Sequence, residues 1–157
     1  MSIALVHETL SLSLDERVDF DGIVDRLLGM LGDVTDAGSR IRLHRKGSFG
    51  VLAADVATPL VMVLTETVQN AVEHAFDNGG SGTVTVSAQR HSRWVEAVVA
   101  DDGRGLPEGF SLQTSTRLGL QIVRTLVESE LRGTIAVRPR QPRGTEALVR
   151  VPLTRRH

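Results

Sequence analysis

Glu66, Asn70 and His74 are spaced four residues apart, so on a helix they stack one above another along one side. A carboxylate and an amide oxygen on successive turns are hard donors, suited to a Mg²⁺ that keeps several waters and takes its other ligands from phosphates. The same spacing also describes a solvated helix face, where charged stripes are ordinary. A second group begins at Asp101 and runs through Asp102, Gly103, Arg104 and Gly105. Two glycines within three residues let the backbone come close to a ligand. A partly buried carboxylate accepting from an exocyclic amine favours adenine, because guanine presents a carbonyl oxygen there and two acceptors repel. The plain alternative is an Asp-Gly turn. A third group, Thr114, Ser115, Thr116, Arg117, Leu118 and Gly119, opens a helical pattern. Free N–H groups at a helix start attract anions, and Arg117 adds donors for phosphate oxygens, although capping by Ser115 or Thr116 explains the same residues. Neither a Walker loop nor a dinucleotide fingerprint is present.

The elements that must hold these groups follow from periodicity. The central helix carries Leu60, Val61, Leu64, Val68, Ala71, Val72 and Ala75 at three- and four-residue spacing, which marks a buried face. Thr58 and Pro59 supply an N-cap and a first-turn proline, so this helix is expected to begin there. Before it, 2–14 has a short helical pattern, and 22–34 reads as a helix capped by Asp19 or Asp21, with Ile23, Val24, Leu27, Leu28 and Leu31 forming its stripe. Residues 41–45 alternate as a half-buried strand, and a turn leads into a short strand over 51–54. After the central helix, 83–87 and 93–100 read as paired strands, with Trp94 as a packing residue. A helix over 118–130 and a final hairpin, 133–138 with 144–151, complete the order. Sequential strand pairs beside clustered helices predict an α/β (α+β) two-layer sandwich: a mixed sheet with helices on one face.

Composition bounds the function. The 157 residues suffice for one core, and a net charge of -1 argues against direct nucleic-acid binding. Absence of cysteine removes disulfides, thiolate metal sites and a cysteine nucleophile, and suits a cytoplasmic location. No apolar run approaches the ~18 residues of a membrane span, and the first residues lack the pattern of a signal peptide. The segment is expected to be soluble.

Taken together, the acid-amide helix, the D-x-G-x-G loop and the glycine at a helix start, followed by Gly144 and Thr145 before a last strand, resemble the ATP-binding domain shared by histidine kinases, gyrase, Hsp90 and MutL, the Bergerat fold. The resemblance covers roughly 41–153. It implies ATP and Mg²⁺ as ligands: Asn70 at the metal-binding asparagine, and Glu66 as the catalytic acidic residue that polarises an attacking imidazole. His74, Asp101, Gly103 and Gly105, the lid residues Arg117, Leu118 and Gly119, and Thr145 fall at nucleotide-binding positions. Asp101 corresponds to the reader of the adenine amine.

Within that superfamily, the short lid and the Arg117-to-Val123 wording are similar to sensor histidine kinases, particularly a soluble actinobacterial branch that signals to an RNA-binding antitermination regulator. The implied boundaries are 1–18 as the remnant of a dimerisation hairpin and 19–154 as the catalytic and ATP-binding domain. The implied partners are ATP, an acceptor-histidine segment of the parent kinase and a response regulator, in a two-component relay. Two departures stand out: Arg117 occupies a position where many members carry glycine, and no acceptor-histidine motif is present. His7 lies where the far end of the hairpin would be. The expected behaviour is ATP binding without autophosphorylation. The rival readings are a stand-alone ATPase or protein-serine kinase of the same fold, and a non-catalytic nucleotide-binding module.

Overall fold

Strand alternation decides which side of the sheet stays dry. The structure, a computed structural model, describes residues 17–34, 41–74, 81–105 and 118–153. In chain order these form β1 (Arg17–Asp19), α1 (Phe20–Val34), β2 (Ile41–Gly47), β3 (Val51–Ala53), α2 (Ala54–His74), β4 (Gly82–Arg90) and β5 (Trp94–Asp101). Then come α3 (Leu118–Thr125), a π-helical turn (Leu126–Glu130), β6 (Thr134–Pro139) and β7 (Thr145–Pro152). Five strands pair in the order β2-β4-β5-β7-β6. Only β2 and β4 are parallel among them; the other pairs are antiparallel, so the sheet is mixed. A parallel pair needs a crossover, and β3 with α2 supplies it. The expected helix over 2–14 lies outside the described residues.

Val84, Val86 and Ala88 of β4, Val95, Ala97 and Val99 of β5, and Ala147, Val149 and Val151 of β7 are buried, while the residues between them are not. This period of two leaves one apolar sheet face. Val24, Leu27 and Leu28 of α1, Leu60, Leu64 and Val68 of α2, Val123 of α3 and Val127 of the π-helical turn belong to the same core. Helices with a 3.6-residue stripe therefore close one face of the sheet, at about 1.5–3 kcal/mol for each large side chain fully buried.

One expectation needs correction and two gain detail. The central helix begins at Ala54, with Pro59 inside it, because Ala54, Val56 and Ala57 are all buried and their burial offsets the one backbone bond a proline forfeits. The helix expected over 118–130 changes character at Leu126, where Leu131 N–H donates to the Leu126 carbonyl at 2.9 Å. Four-residue steps along an α-helix drift by ~40°; the wider turn reverses that drift and lets Val123, Val127 and Leu131 all reach the core. Trp94 is half-buried on the outer sheet face, stacked on His91 at 3.7 Å and lying under the Arg150 guanidinium at 3.7 Å. Its packing partners are polar neighbours and not the core.

β1 has no counterpart in the sequence pattern: three residues pair antiparallel with β3 in a separate ribbon. The turn between β2 and β3 is tied to the start of α1 through Asp21, whose carboxylate accepts from Phe49 N–H at 2.7 Å and Ser48 Oγ at 2.5 Å. Arg45 adds a bidentate contact to Asp25 at 2.8 and 3.0 Å, and that hydrogen bond holds the Asp25 carboxyl below its usual range. The Asp25 side chain is 55% exposed, so this pair contributes little. Asp21 matters more, because it satisfies a part-buried amide. Asp21→Ala is expected to destabilise the domain by about 1–3 kcal/mol, checked by urea unfolding, whereas Asp25→Ala should lose less than half of that.

Candidate functional site

The polar stripe of α2 meets the start of α3. Gly119 packs so closely that a Cβ there would lie 2.7 Å from Glu66 Oε1 and 3.7 Å from Asn70 Nδ2. Any side chain at 119 would displace the Glu66 carboxylate. Asn70 Nδ2 is buried and has no hydrogen-bond partner among the described residues. Leaving such a donor unsatisfied costs about 1–3 kcal/mol, and a group of this kind in a native fold calls for an explanation, a missing ligand being one. An amide can turn by 180° to present its oxygen in place of its nitrogen, so the same side chain can offer a hard donor to a divalent ion. His74 closes α2, and its carbonyl accepts from Arg104 Nε at 2.9 Å.

At the end of β5 the chain buries a carboxylate. Asp101 is 5% exposed, and its Oδ1 accepts from Gly103 N–H at 2.9 Å and from Thr145 N–H at 3.3 Å. Burial pushes its pKa up. The two backbone donors pull it back, neighbouring Asp102 raises it further and Arg140 opposes that, with the balance above the usual value. Asp102 is anchored elsewhere, since its Oδ1 accepts from Thr83 N–H at 2.9 Å and fastens the loop to β4. Gly105 has φ +88° and sits against the Gly144 carbonyl. Gly144, at φ +108°, lies so near Asp101 that a Cβ would fall 1.9 Å from the Asp101 carbonyl oxygen. Only glycine fits there.

The structure thus brings Glu66 and Asn70 together with Gly119, and Asp101 and Gly103 together with Thr145. Arg104 ties the second group to His74 at the end of the helix that carries the first. Leu118 opens α3, and Arg117 lies outside the described residues. Sequence reasoning missed Arg104, Arg140 and Arg143. Arg143 Nε donates to the Gly103 carbonyl at 2.9 Å, and Arg140 Nη1 lies 3.5 Å from the Asp101 carbonyl. No local pattern marks an arginine that binds a backbone carbonyl 40 residues away. Among the described residues, no three His, Cys, Asp or Glu side chains are grouped as a metal site.

Residues 55–155 match the family described as histidine kinase-, DNA gyrase B-, and HSP90-like ATPase, and the chain belongs to it. Within that family the chain is similar to sensor histidine kinases. Over 156 residues, 99% of the chain, it is 54% identical to the sensor histidine kinase PdtaS of Mycobacterium tuberculosis, and it spans 31% of that protein's length. The histidine kinase domain of the Erythrobacter litoralis EL346 blue-light activated histidine kinase has the same fold: TM-score 0.81 over 97% of this chain and 70% of that one, at 23% identity. Histidine kinase ThkA in complex with response regulator protein TrrA also matches, with TM-score 0.72 over 96% of this chain and 47% of that one, at 22% identity. Among the described residues no helix is long and apolar enough to cross a membrane.

The raised pKa of Asp101 has a thermodynamic consequence. A carboxyl that holds its proton more tightly when folded contributes stability that is fully present below the unfolded-state pKa and is lost as pH rises through the folded-state value. Asn at 101 keeps an acceptor for Gly103 and Thr145 but cannot ionise. Asp101→Asn without nucleotide is therefore expected to match the wild type at the acidic end and to gain in relative melting temperature with rising pH, levelling off above the raised pKa. Thermal unfolding between about pH 4 and pH 8 checks this; a constant difference across that range would contradict it.

Proposed function

We propose that this domain binds Mg·ATP and presents the γ-phosphoryl group to a histidine carried elsewhere in its parent protein. The observation that carries the reading is the division of labour at Asp101. Its Oδ1 is taken by two backbone donors, and Oδ2 has no protein partner among the described residues. A buried acceptor with one free oxygen suits the exocyclic amine of adenine and repels the carbonyl of guanine.

At the other end, Asn70 would hold the Mg²⁺, which when bound neutralises phosphate charge; its buried, unpartnered amide supports that role. The start of α3 at Leu118 and Gly119, with Arg117, would offer donors to the phosphates. Glu66, beside Gly119, would take the proton of the incoming imidazole as its nitrogen bonds to phosphorus and ADP leaves. His74, Gly103, Gly105 and Thr145 would complete the nucleotide cavity. The acceptor-histidine segment and a response regulator, of the RNA-binding antitermination type, are the proposed partners, and the cytoplasm the proposed location. Because phosphoryl transfer is mainly positioning and charge neutralisation, the 157-residue chain should bind nucleotide yet not phosphorylate itself.

Calorimetric titration with ATP and GTP in the presence of Mg²⁺ tests the reading. ATP should be preferred, and Asp101→Asn should weaken ATP binding by at least about tenfold, since Oδ2 becomes an N–H donor facing the adenine amine. Equal affinity of the wild type for the two nucleotides would overturn it. Asn70→Asp should alter the Mg²⁺ dependence of binding while leaving metal-free binding of adenosine unchanged; an unaltered Mg²⁺ dependence would remove Asn70 from the metal site. Radiolabel from γ-labelled ATP should appear only on a histidine segment added in trans.

A further inference from the structure

The loop between β6 and β7 carries two arginines that turn back onto the backbone of the 101–105 loop. Among the described residues neither pairs with a carboxylate. Arg143 Nε donates to the Gly103 carbonyl at 2.9 Å. Arg140 Nη1 lies 3.5 Å from the Asp101 carbonyl and equally far from the carbonyl of Arg143. Gly103 is gripped from both sides, since its own N–H donates to Asp101 Oδ1 at 2.9 Å. The order of dependence is therefore Arg143, then the backbone of Gly103, then one oxygen of Asp101. A charged donor to a neutral carbonyl is stronger than a neutral one, and a glycine in a loop is the residue that most needs such a hold.

We infer that Arg143, supported by Arg140, is a positioning residue for base selection: by fixing the Gly103 backbone it preserves the shorter of the two bonds that orient Asp101 Oδ1, so that Oδ2 alone faces the base. The inference rests on the adenine-reading role proposed above. Without Arg143, the Gly103 backbone is free to rotate and its N–H leaves Oδ1. Oδ1 then keeps only the longer bond from Thr145 N–H, at 3.3 Å, so the carboxylate gains freedom to turn and its bond to the adenine amine is held less firmly. Contacts to ribose and phosphates do not depend on this chain of bonds. The loss therefore falls on the preference for adenine and not on nucleotide binding in general.

ATP and inosine triphosphate are the appropriate pair of probes, because their bases differ at the position of the exocyclic amine. Competition against a fluorescent nucleotide would be measured for the 157-residue chain and for Arg143→Met, Arg143→Lys and Asp101→Asn. Arg143→Met is expected to weaken ATP binding by about five- to tenfold and to leave inosine triphosphate within about twofold. Arg143→Lys, which retains a cationic donor, should recover part of the loss. The Gly103 amide should exchange with solvent faster in Arg143→Met, a change in local opening that amide exchange reports. Equal weakening for both nucleotides, or no change for either, would overturn the inference. If the wild type does not prefer ATP over inosine triphosphate, the adenine-reading role itself fails. If it does, and Asp101→Asn erases the preference while Arg143→Met preserves it, only the role of Arg143 falls.

Discussion

Burying one ionisable carboxylate at the end of a strand is the constraint on which the arrangement depends. Burying Asp101 is costly unless hydrogen bonds offset its desolvation, and the donors that meet Oδ1 come from residues 2 and 44 positions away. The first requires the 101–105 loop to curl back immediately after β5. The second requires β7 to lie beside β5 in a register that sets Asp101 opposite Thr145. That register in turn brings the backbone of Gly144 against the Asp101 carbonyl, closer than any side chain would allow. A local turn and a long-range strand pairing thus converge on one oxygen, and the other has no protein partner among the described residues.

The second constraint is the double use of α2. Leu60, Val61, Leu64 and Val68 bury one side of it in the core. Glu66 and Asn70 occupy another side, half-buried, where α3 crosses them at a glycine. A helix can serve both purposes because its stripes are angularly separate. The polar stripe is shielded enough to leave the Asn70 amide nitrogen buried without a partner among the described residues. That shielding costs stability, a trade of the kind expected at functional positions.

What is legible in the sequence is what is local. The 66, 70 and 74 stripe follows from helical spacing, and the D-x-G-x-G loop from an abrupt end to an apolar strand, so the fold class and the outline of the site can be read directly. Bonds between distant parts of the chain cannot. Arg143 meets Gly103 across 40 residues and Arg104 meets the His74 carbonyl across 30; an arginine serving a backbone carbonyl leaves no complementary residue type to notice. The start of α2 is misplaced by pattern alone because Thr58 and Pro59 carry a capping signal, yet burial of Ala54, Val56 and Ala57 outweighs it. The π-helical turn escapes notice because the apolar spacing of 123, 127 and 131 is compatible with an ordinary helix until the core it must reach is known.

These long-range bonds also explain how two ends of a site can be held at a fixed separation by groups that lie far apart along the chain. Arg104 fastens the 101–105 loop to the carbonyl of His74, the last residue of α2. Asn70 stands one turn earlier on the same helix, about 6 Å along its axis. That axial offset is set by backbone hydrogen bonds, which do not stretch, and not by the reach of a side chain. The loop carrying Asp101 is therefore referenced to the rod that carries Asn70. A change in the loop between β6 and β7 would be felt at Asp101 first, because Arg143 and Thr145 act on Gly103 and Asp101 directly. The amide end would stay in register with the helix. Under the proposed function, selection of the base and retention of the phosphates would in this way be mechanically separable.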